Sequence, residues 1–341
     1  MSSPTTTSEK PSAASSTASP DSARDRLLGL ARQIPGPLVG LIVIVVLMSI
    51  LSPYFLTSRN LLNIVSQVSD IGVMAVGAAL VIIIGGIDLS VGSALAMSAM
   101  TSAFLFKSQG LPFSVALVAG VLVGALIGLI NGVLSTYGRV QPFVATLATM
   151  SAAAGLALYI TDGNPITGFP DWFLLLTENV PGTPIPVEGV IMVLVFVGAA
   201  FWLRYRPDGR ALYAIGGNEE VARLSGLRVT AIKIRVYVIA GVLAALAGML
   251  TTSRLDSAQP TAGATDLLNV IAVVVIGGAS LAGGSGTMLG TFIGLFIIGT
   301  LNNGMSLLNV SPNLQPVVIG VVIIAAVMSD RGGRARLRGG H

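Results

Sequence analysis

The chain has 341 residues, 53% of them hydrophobic and 10% charged, with a formal net charge of +4. Soluble domains carry about a quarter charged residues, so a water-solvated globule is excluded. Apolar stretches of about 20 residues recur, the length a helix needs to cross ~30 Å of hydrocarbon, and they make this a polytopic membrane protein.

In chain order, residues 1–22 are Ser, Thr, Ala and Pro except for Met1, Glu9, Lys10 and Asp21. That composition cannot bury a core and reads as a disordered tail, extending to about residue 33. It lacks the apolar run of a secretory signal. Leu27 to Ile34, with Arg24, Arg26 and Arg32, reads as a short amphipathic segment on the membrane surface.

Ten spans follow, at about 36–52, 69–86, 88–106, 112–136, 142–160, 188–203, 236–253, 267–283, 287–305 and 316–329. The second and third are separated by almost nothing, so one of them is expected to be re-entrant or broken. The fold class is therefore all-α: a membrane helix bundle over 34–330 with about ten transmembrane helices, broken segments and an internal repeat. Residues 161–187, dense in Pro and Gly, read as an irregular extracytoplasmic cap. Residues 204–235 form the longest polar stretch, and 331–341 a basic tail.

Positive charge sets the orientation. With the N-terminus inside, all of the 19 Lys and Arg except Arg59, Lys107 and Arg254 fall on cytoplasmic segments. This places both termini in the cytoplasm. It also explains the pI of about 9.7 as topology rather than a nucleic-acid patch.

"VIIIGGIDLSVGS" at 81–93 aligns without gaps to "VVVIGGASLAGGS" at 273–285, identical at seven of 13 positions. Such echoes mark duplicated halves of transporters, with the substrate site near their interface; convergence on a Gly-rich packing sequence is the alternative. Both copies run in the same direction in this topology. Within the first, Asp88 is read as the one acid clearly inside a span. A charge at the bilayer centre costs at least ~2.5 kcal/mol. Three roles stand open for it: capping, with Gly85 and Gly86 ending one helix and Asp88 or Ser90 accepting from the next, a substrate or gating contact, and proton coupling. The second copy has Ser280 in its place. Gly120, Gly124, Gly128 and Gly132, and likewise Gly286, Gly290 and Gly294, form small-residue stripes for close helix contact.

Catalytic constellations are missing. The absence of cysteine removes disulfides and thiolate sites, and the lone histidine, His341, is the last residue. No acids cluster at metal-ligand spacing. Lys10, Lys107 and Lys233 follow Glu, Phe and Ile, so the P-loop pattern is absent. The chain is read as a non-enzyme without a cofactor of its own, and ATP-driven motion requires a second polypeptide to hold ATP and Mg. A docking element for one is present. Asn218 is a good N-cap, Glu219 and Glu220 suit a helix start, Arg223 its end, and Gly226 a C′ position. Val221, Leu224 and Leu227 give this short helix an apolar edge, and a helix of two turns needs a surface to dock on. A generic membrane-surface turn is the alternative.

"GGIDLSVGS" at 85–93, "GRALYAIGGNEEVARLSGLRV" at 209–229 and "VVVIGGASLAGGSGTMLGTFIGLFIIGTLNNGMSLLNVS" at 273–311 resemble, in the same order, the ribose-type sugar permeases of bacterial ATP-binding-cassette importers. The resemblance covers about 35 to 330. It implies a ten-helix plasma-membrane subunit that pairs with a second permease, homo- or heterodimeric. It also implies an extracytoplasmic sugar-binding protein and a cytoplasmic ATPase docked around Asn218 to Gly226. One departure stands out. Where such permeases often carry an acidic pair before the second glycine block, this chain has Leu267 and Asn269, with Asp266 displaced by one.

The reading is a permease for a small neutral sugar or polyol. Its path is lined by Gly85, Gly86, Asp88, Ser90, Gly277, Gly278 and Ser280, with Asn131, Asn302 and Asn303 as hydroxyl-binding candidates. The rivals are a related permease for branched-chain amino acids or nucleosides and a self-sufficient channel or secondary carrier, the latter expected to carry several intramembrane acids.

Overall fold

The computed structural model describes residues 36–322 and Ile324. The tails expected at 1–33 and 331–341, the surface segment at 27–34 and the second half of the span at 316–329 lie outside the described residues.

The described chain is mainly helical and holds almost no strand, with α1 Gly36–Leu51, α2 Ser58–Ile83, α3 Val91–Lys107, α4 Phe113–Thr136 and α5 Pro142–Tyr159 in its first half. The short α6 Asp171–Leu174 precedes α7 Val187–Tyr205, α8 Pro207–Gly217, α9 Glu219–Leu224, α10 Val229–Leu255, α11 Asp266–Ile276 and α12 Met288–Leu307. A further helical stretch runs from 315. Six of these helices, α2, α4, α5, α7, α10 and α12, are long and apolar enough to cross a membrane, and α1, α3 and α11 are shorter apolar helices.

Three expected boundaries move. Helix α2 begins at Ser58 rather than 69, because Thr57 caps it by accepting from the Asn60 amide at 3.3 Å. Arg59, Asn60, Asn63 and Gln67 had masked its first turns in the hydropathy pattern. Helix α10 begins at Val229 rather than 236, since the buried Lys233 within it is neutralised by Glu219, 2.9 Å away. The span expected at 267–283 ends early, at Ile276.

The centre of the bundle is α10, packed between α2 and α4. The stripe on α4 explains the closeness. Gly124 meets Gly241, Gly128 sits on the backbone of Tyr237, and a Cβ on Gly132 would lie 2.9 Å from the Ile234 Cα. Small residues are what allows such backbone approach where lipid supplies no hydrophobic drive. The second stripe is shorter than expected. Gly290 and Gly294 lie on α12 and press on Gly277 and Val273, whereas Gly286 precedes the helix in a loop.

The segment at 161–187 is more ordered than a featureless cap. It holds β1 Ile166–Thr167, which pairs antiparallel with β2 Ser257–Ala258, then α6 and a 3₁₀ turn at Leu175–Thr177. Phe113, Phe169, Trp172 and Phe173 supply the reason, since their rings cluster at centroid distances from 4.7 Å upward and fasten the segment onto the end of α4. The outer faces of α1, α4, α5 and α7 expose rows of aliphatic side chains, such as Val43, Leu122, Leu147 and Leu194. On helices of membrane length, such faces suit lipid or another apolar helix.

Candidate gate and coupling site

The first repeat segment forms a helix break. Gly85 ends α2 at φ +79°, a left-handed conformation that favours glycine. The Gly85 N–H donates to Ile82 O and the Gly86 N–H to Val81 O, each at 2.9 Å, closing the helix end. Gly86 has no room for a side chain, because a Cβ there would sit 2.5 Å from the Tyr237 hydroxyl oxygen.

Asp88 is buried in the extended link to α3. Its Oδ1 accepts from the Ser90 amide at 2.8 Å and the Ser90 hydroxyl at 2.6 Å. Ser90 is the N-cap of α3, yet its side chain bonds no amide of that helix. Asp88 therefore braces the cap residue, and neither the Asp88 nor the Ser90 side chain accepts from the first turn of α3 as the capping reading expected. Asn131 of α4 donates to Ser90 Oγ at 2.7 Å and accepts from Thr149 of α5 at 2.6 Å. Thr146 donates to Ile87 O at 3.1 Å. The expected hydroxyl-binding Asn131 thus has both amide atoms engaged in tying α4 and α5 to the break.

The segment at 273–285 breaks the chain between α11 and α12. Gly277 caps α11, and Gly278 follows at φ +87°. Ser280 donates its amide to Ser285 O at 3.1 Å, and its Oγ accepts from the Ala282 amide at 3.3 Å. Thr287 caps α12 by accepting from Gly290 N at 3.0 Å.

The two breaks touch. The Gly284 amide donates to Ile83 O at 2.9 Å, and a Cβ on Gly283 would lie 2.8 Å from the Gly85 Cα. The polar segment enters the same junction. Gly216, near the end of α8, abuts Ile83 O, and a Cβ there would lie 2.5 Å from Gly284 N. Tyr213 donates to Gly286 O at 3.0 Å, and burial pushes its phenol up, so it stays a donor.

Asn218 then both ends α8 and caps α9, accepting from Val221 N at 3.1 Å. Arg223 pairs with Glu219 at 3.2 Å, Glu220 is exposed, and Gly226 closes the turn at φ +82°. Val221 and Leu224 lie open on α9, Leu224 at 80% exposure, while Leu227 packs inward. An apolar edge is thereby presented on a six-residue helix that begins two residues after Gly217, whose backbone with that of Gly216 touches Gly284 at the second break.

Asn302 and Asn303 are not part of this junction. They lie near the other end of α12, where Asn303 exchanges two 2.9 Å hydrogen bonds with Asn60 and is fully satisfied. The sequence reading also missed an ion-pair network, since Asp88 is not the only acid in a span. Asp70 is buried within α2, where Arg254 binds it, and Arg254 also reaches Glu188 at 3.3 Å and Ser66 O at 2.8 Å. Thr251 donates to Asp70 Oδ2 at 2.9 Å. The signal was available: Asp70, like Asp88, interrupts an apolar run. Tyr213, Gly216, Gly283 and Gly284 carried no such signal.

Comparison with known proteins decides the family. A family model described as "Branched-chain amino acid transport system / permease component" matches residues 60–327. The chain belongs to this family. Among its relatives, the Ribose import permease protein RbsC of Bacillus subtilis (strain 168) is 50% identical over 297 residues, covering 87% of this chain and 92% of that protein. RbsC of Escherichia coli (strain K12) is 46% identical, covering 86% and 92%. The D-allose transport system permease protein AlsC of the same strain is 41% identical, covering 85% and 89%. No solved structure matches the chain. In this chain three glycine-bearing segments meet at one point, and the helix that follows one of them leaves Val221 and Leu224 uncovered among the described residues.

Proposed function

We propose that the chain is the membrane-spanning permease subunit of an ATP-binding-cassette importer for a small neutral sugar. A separate cytoplasmic ATPase powers it, and an extracytoplasmic sugar-binding protein feeds it. The observation that carries this reading is the backbone contact of Gly216 with both helix breaks, because α8 leads through Asn218 straight into the exposed α9. An ATPase seated on Val221 and Leu224 would move α9, and the glycine junction would pass that motion to the ends of α2 and α11.

On this reading the six long helices and the shorter α1, α3 and α11, together with the span expected at 316–329, give about ten crossings, and the segments 81–93 and 273–285 lie at corresponding breaks. That arrangement puts α8 and α9 on the cytoplasmic side together with both termini. A second permease copy would cover part of the open aliphatic faces of α1, α4, α5 and α7.

The family description favours an amino acid as cargo, and the names of the ribose, D-allose and xylose permeases favour a sugar. Around Asp88 the partners are Ser90, Asn131 and Thr149, all neutral, which suits a neutral substrate. The carrier alternative draws on intramembrane acids, of which Asp70 and Glu188 are held by Arg254 and Asp88 is bonded to Ser90, leaving the Asp266 side chain alone without an ion pair or hydrogen bond among the described residues.

The test is reconstitution with the ATPase and the binding protein in liposomes. ATP-dependent accumulation of D-ribose, D-allose or D-xylose, and none of L-leucine, is expected. Concentrative uptake by the permease alone on an ion gradient would refute the reading.

A further inference from the structure

One cleft in the bundle differs in chemistry from its surroundings. Between α2, α11, α12 and the stretch from 315 lies a cavity of about 310 Å³, at the lower end of the ~300–1,000 Å³ of small-molecule sites. Its polar lining comprises Gln67, Asp266, Asn269, Asn302, Ser306 and Gln315. Gln315 donates to Ser306 Oγ at 3.3 Å, and Ser306 to Asn302 O at 3.0 Å. The side chains of Gln67, Asp266, Asn269 and Asn302 have no such partner among the described residues, and their grouping around one cleft calls for a polar occupant.

Neighbouring asparagines make the point. Asn303 is fully paired with Asn60, whereas Asn302 Oδ1 is buried with no partner among the described residues. A buried acceptor left unpaired is costly, and it is an unmet demand for a donor. Each side-chain amide offers both donors and an acceptor, and each sugar hydroxyl offers both in return. Among the described lining residues Asp266 carries the only charge, and it is negative. The nearby guanidinium of Arg254 is taken by Asp70 and Glu188. The carboxylate of an amino acid would meet no cation here, whereas a polyol would be matched.

We infer that this cleft is a way-station for a neutral polyhydroxylated substrate, with Asn302 and Asn269 as its specificity-determining contacts. The inference rests on the transport reading above. The cleft lies beside Val68 and Ile71 and the glycine junction at Ile83–Gly85, roughly 20 Å apart along α2 at ~1.5 Å per residue. The substrate is therefore held on one side of the junction until that junction opens.

The chain has no cysteine of its own, so Ile71→Cys places a single thiol at the cleft. In the assembled complex with the ATPase, its labelling by a small polar thiol reagent is followed with and without sugar. D-ribose is expected to slow labelling, and L-leucine at equal concentration is not. Adding Asn302→Leu weakens the protection roughly fivefold to tenfold, the worth of one good hydrogen bond, and Asn269→Leu acts likewise. An unchanged labelling rate in sugar-free buffer reports that these variants are folded. Labelling indifferent to sugar, in a complex that imports that sugar, overturns the proposal. So does a thiol sealed from reagent in sugar-free buffer by the second permease copy. A complex that imports no sugar refutes the transport reading instead.

Discussion

Gly216 lies against the carbonyl oxygen of Ile83 with no space for a methyl group between them. The contact joins α8, which leads into the exposed α9, to the last turn of α2, and Gly284 is bonded to the same carbonyl. Forcing bulk into such a contact costs ~1–3 kcal/mol through displaced backbone. Gly216→Ala is therefore expected to spread the junction and to lower sugar uptake per ATP hydrolysed by the complex. The neighbouring Gly217→Ala should track wild type, because a Cβ there meets nothing within 4 Å. Proteoliposome uptake measured against phosphate release decides it, and equal coupling in the two variants would remove the junction from the mechanism.

Asp88 accepts both of its hydrogen bonds, from the Ser90 amide and hydroxyl, through Oδ1. A carboxamide oxygen can accept the same pair, so Asp88→Asn should keep most transport. Asp88→Ala leaves the Ser90 amide without its partner at a cost of ~1–3 kcal/mol and should lower the thermal midpoint of the purified protein. Near-complete loss of uptake in the Asn variant, with normal insertion, would show that the negative charge itself is used.

Leu224 and Val221 on α9 expose apolar surface with no partner among the described residues. Leu224→Asp leaves the helix intact, since its cap at Asn218 and its ion pair at Glu219–Arg223 are elsewhere. The ATPase should then co-purify poorly with the permease, while the permease still reaches the membrane. Val221→Pro goes further by removing the amide that Asn218 caps, and ATP hydrolysis by the complex should lose its response to the binding protein. Full co-purification of the Leu224 variant would place the docking surface elsewhere.

Much of this architecture was legible in the chain because membrane helices announce themselves by length and apolarity. The break at 85–90 and the cap at Asn218 were equally open to reading, since Gly85 and Asn218 act on their immediate neighbours. The meeting of Gly85, Gly216 and Gly283 was not, because long-range backbone contact leaves no local pattern. The start of α2 was hidden for the opposite reason. Arg59, Asn60 and Gln67 depress hydropathy there, although Asn60 is buried against Asn303 and Gln67 faces the polar cleft. Asn131 and Asn302 looked alike in sequence, yet one is fully bonded and the other has an unpaired oxygen.

Arg254 of α10 holds Asp70 of α2 and Glu188 of α7, whose side chains are only 7% and 1% exposed. Three helices are thereby fastened by one guanidinium, a group whose planar fork suits two carboxylates at once. Removing it leaves two buried acids facing each other, and breaking a buried pair in this way typically costs ~3–5 kcal/mol. Arg254→Ala should accordingly lower the thermal midpoint in detergent more than Asp88→Ala does. Arg254→Lys should recover only part of the loss, since an ammonium cannot serve both acids in the same geometry. Replacing all three residues by apolar ones of similar size should restore most of the stability, because the pair is favourable mainly relative to its broken form. If that triple variant is stable but fails to import sugar, the network serves transport beyond stability. If Arg254→Ala costs under about 1 kcal/mol, as exposed pairs do, the network is hydrated and its burial has been misjudged.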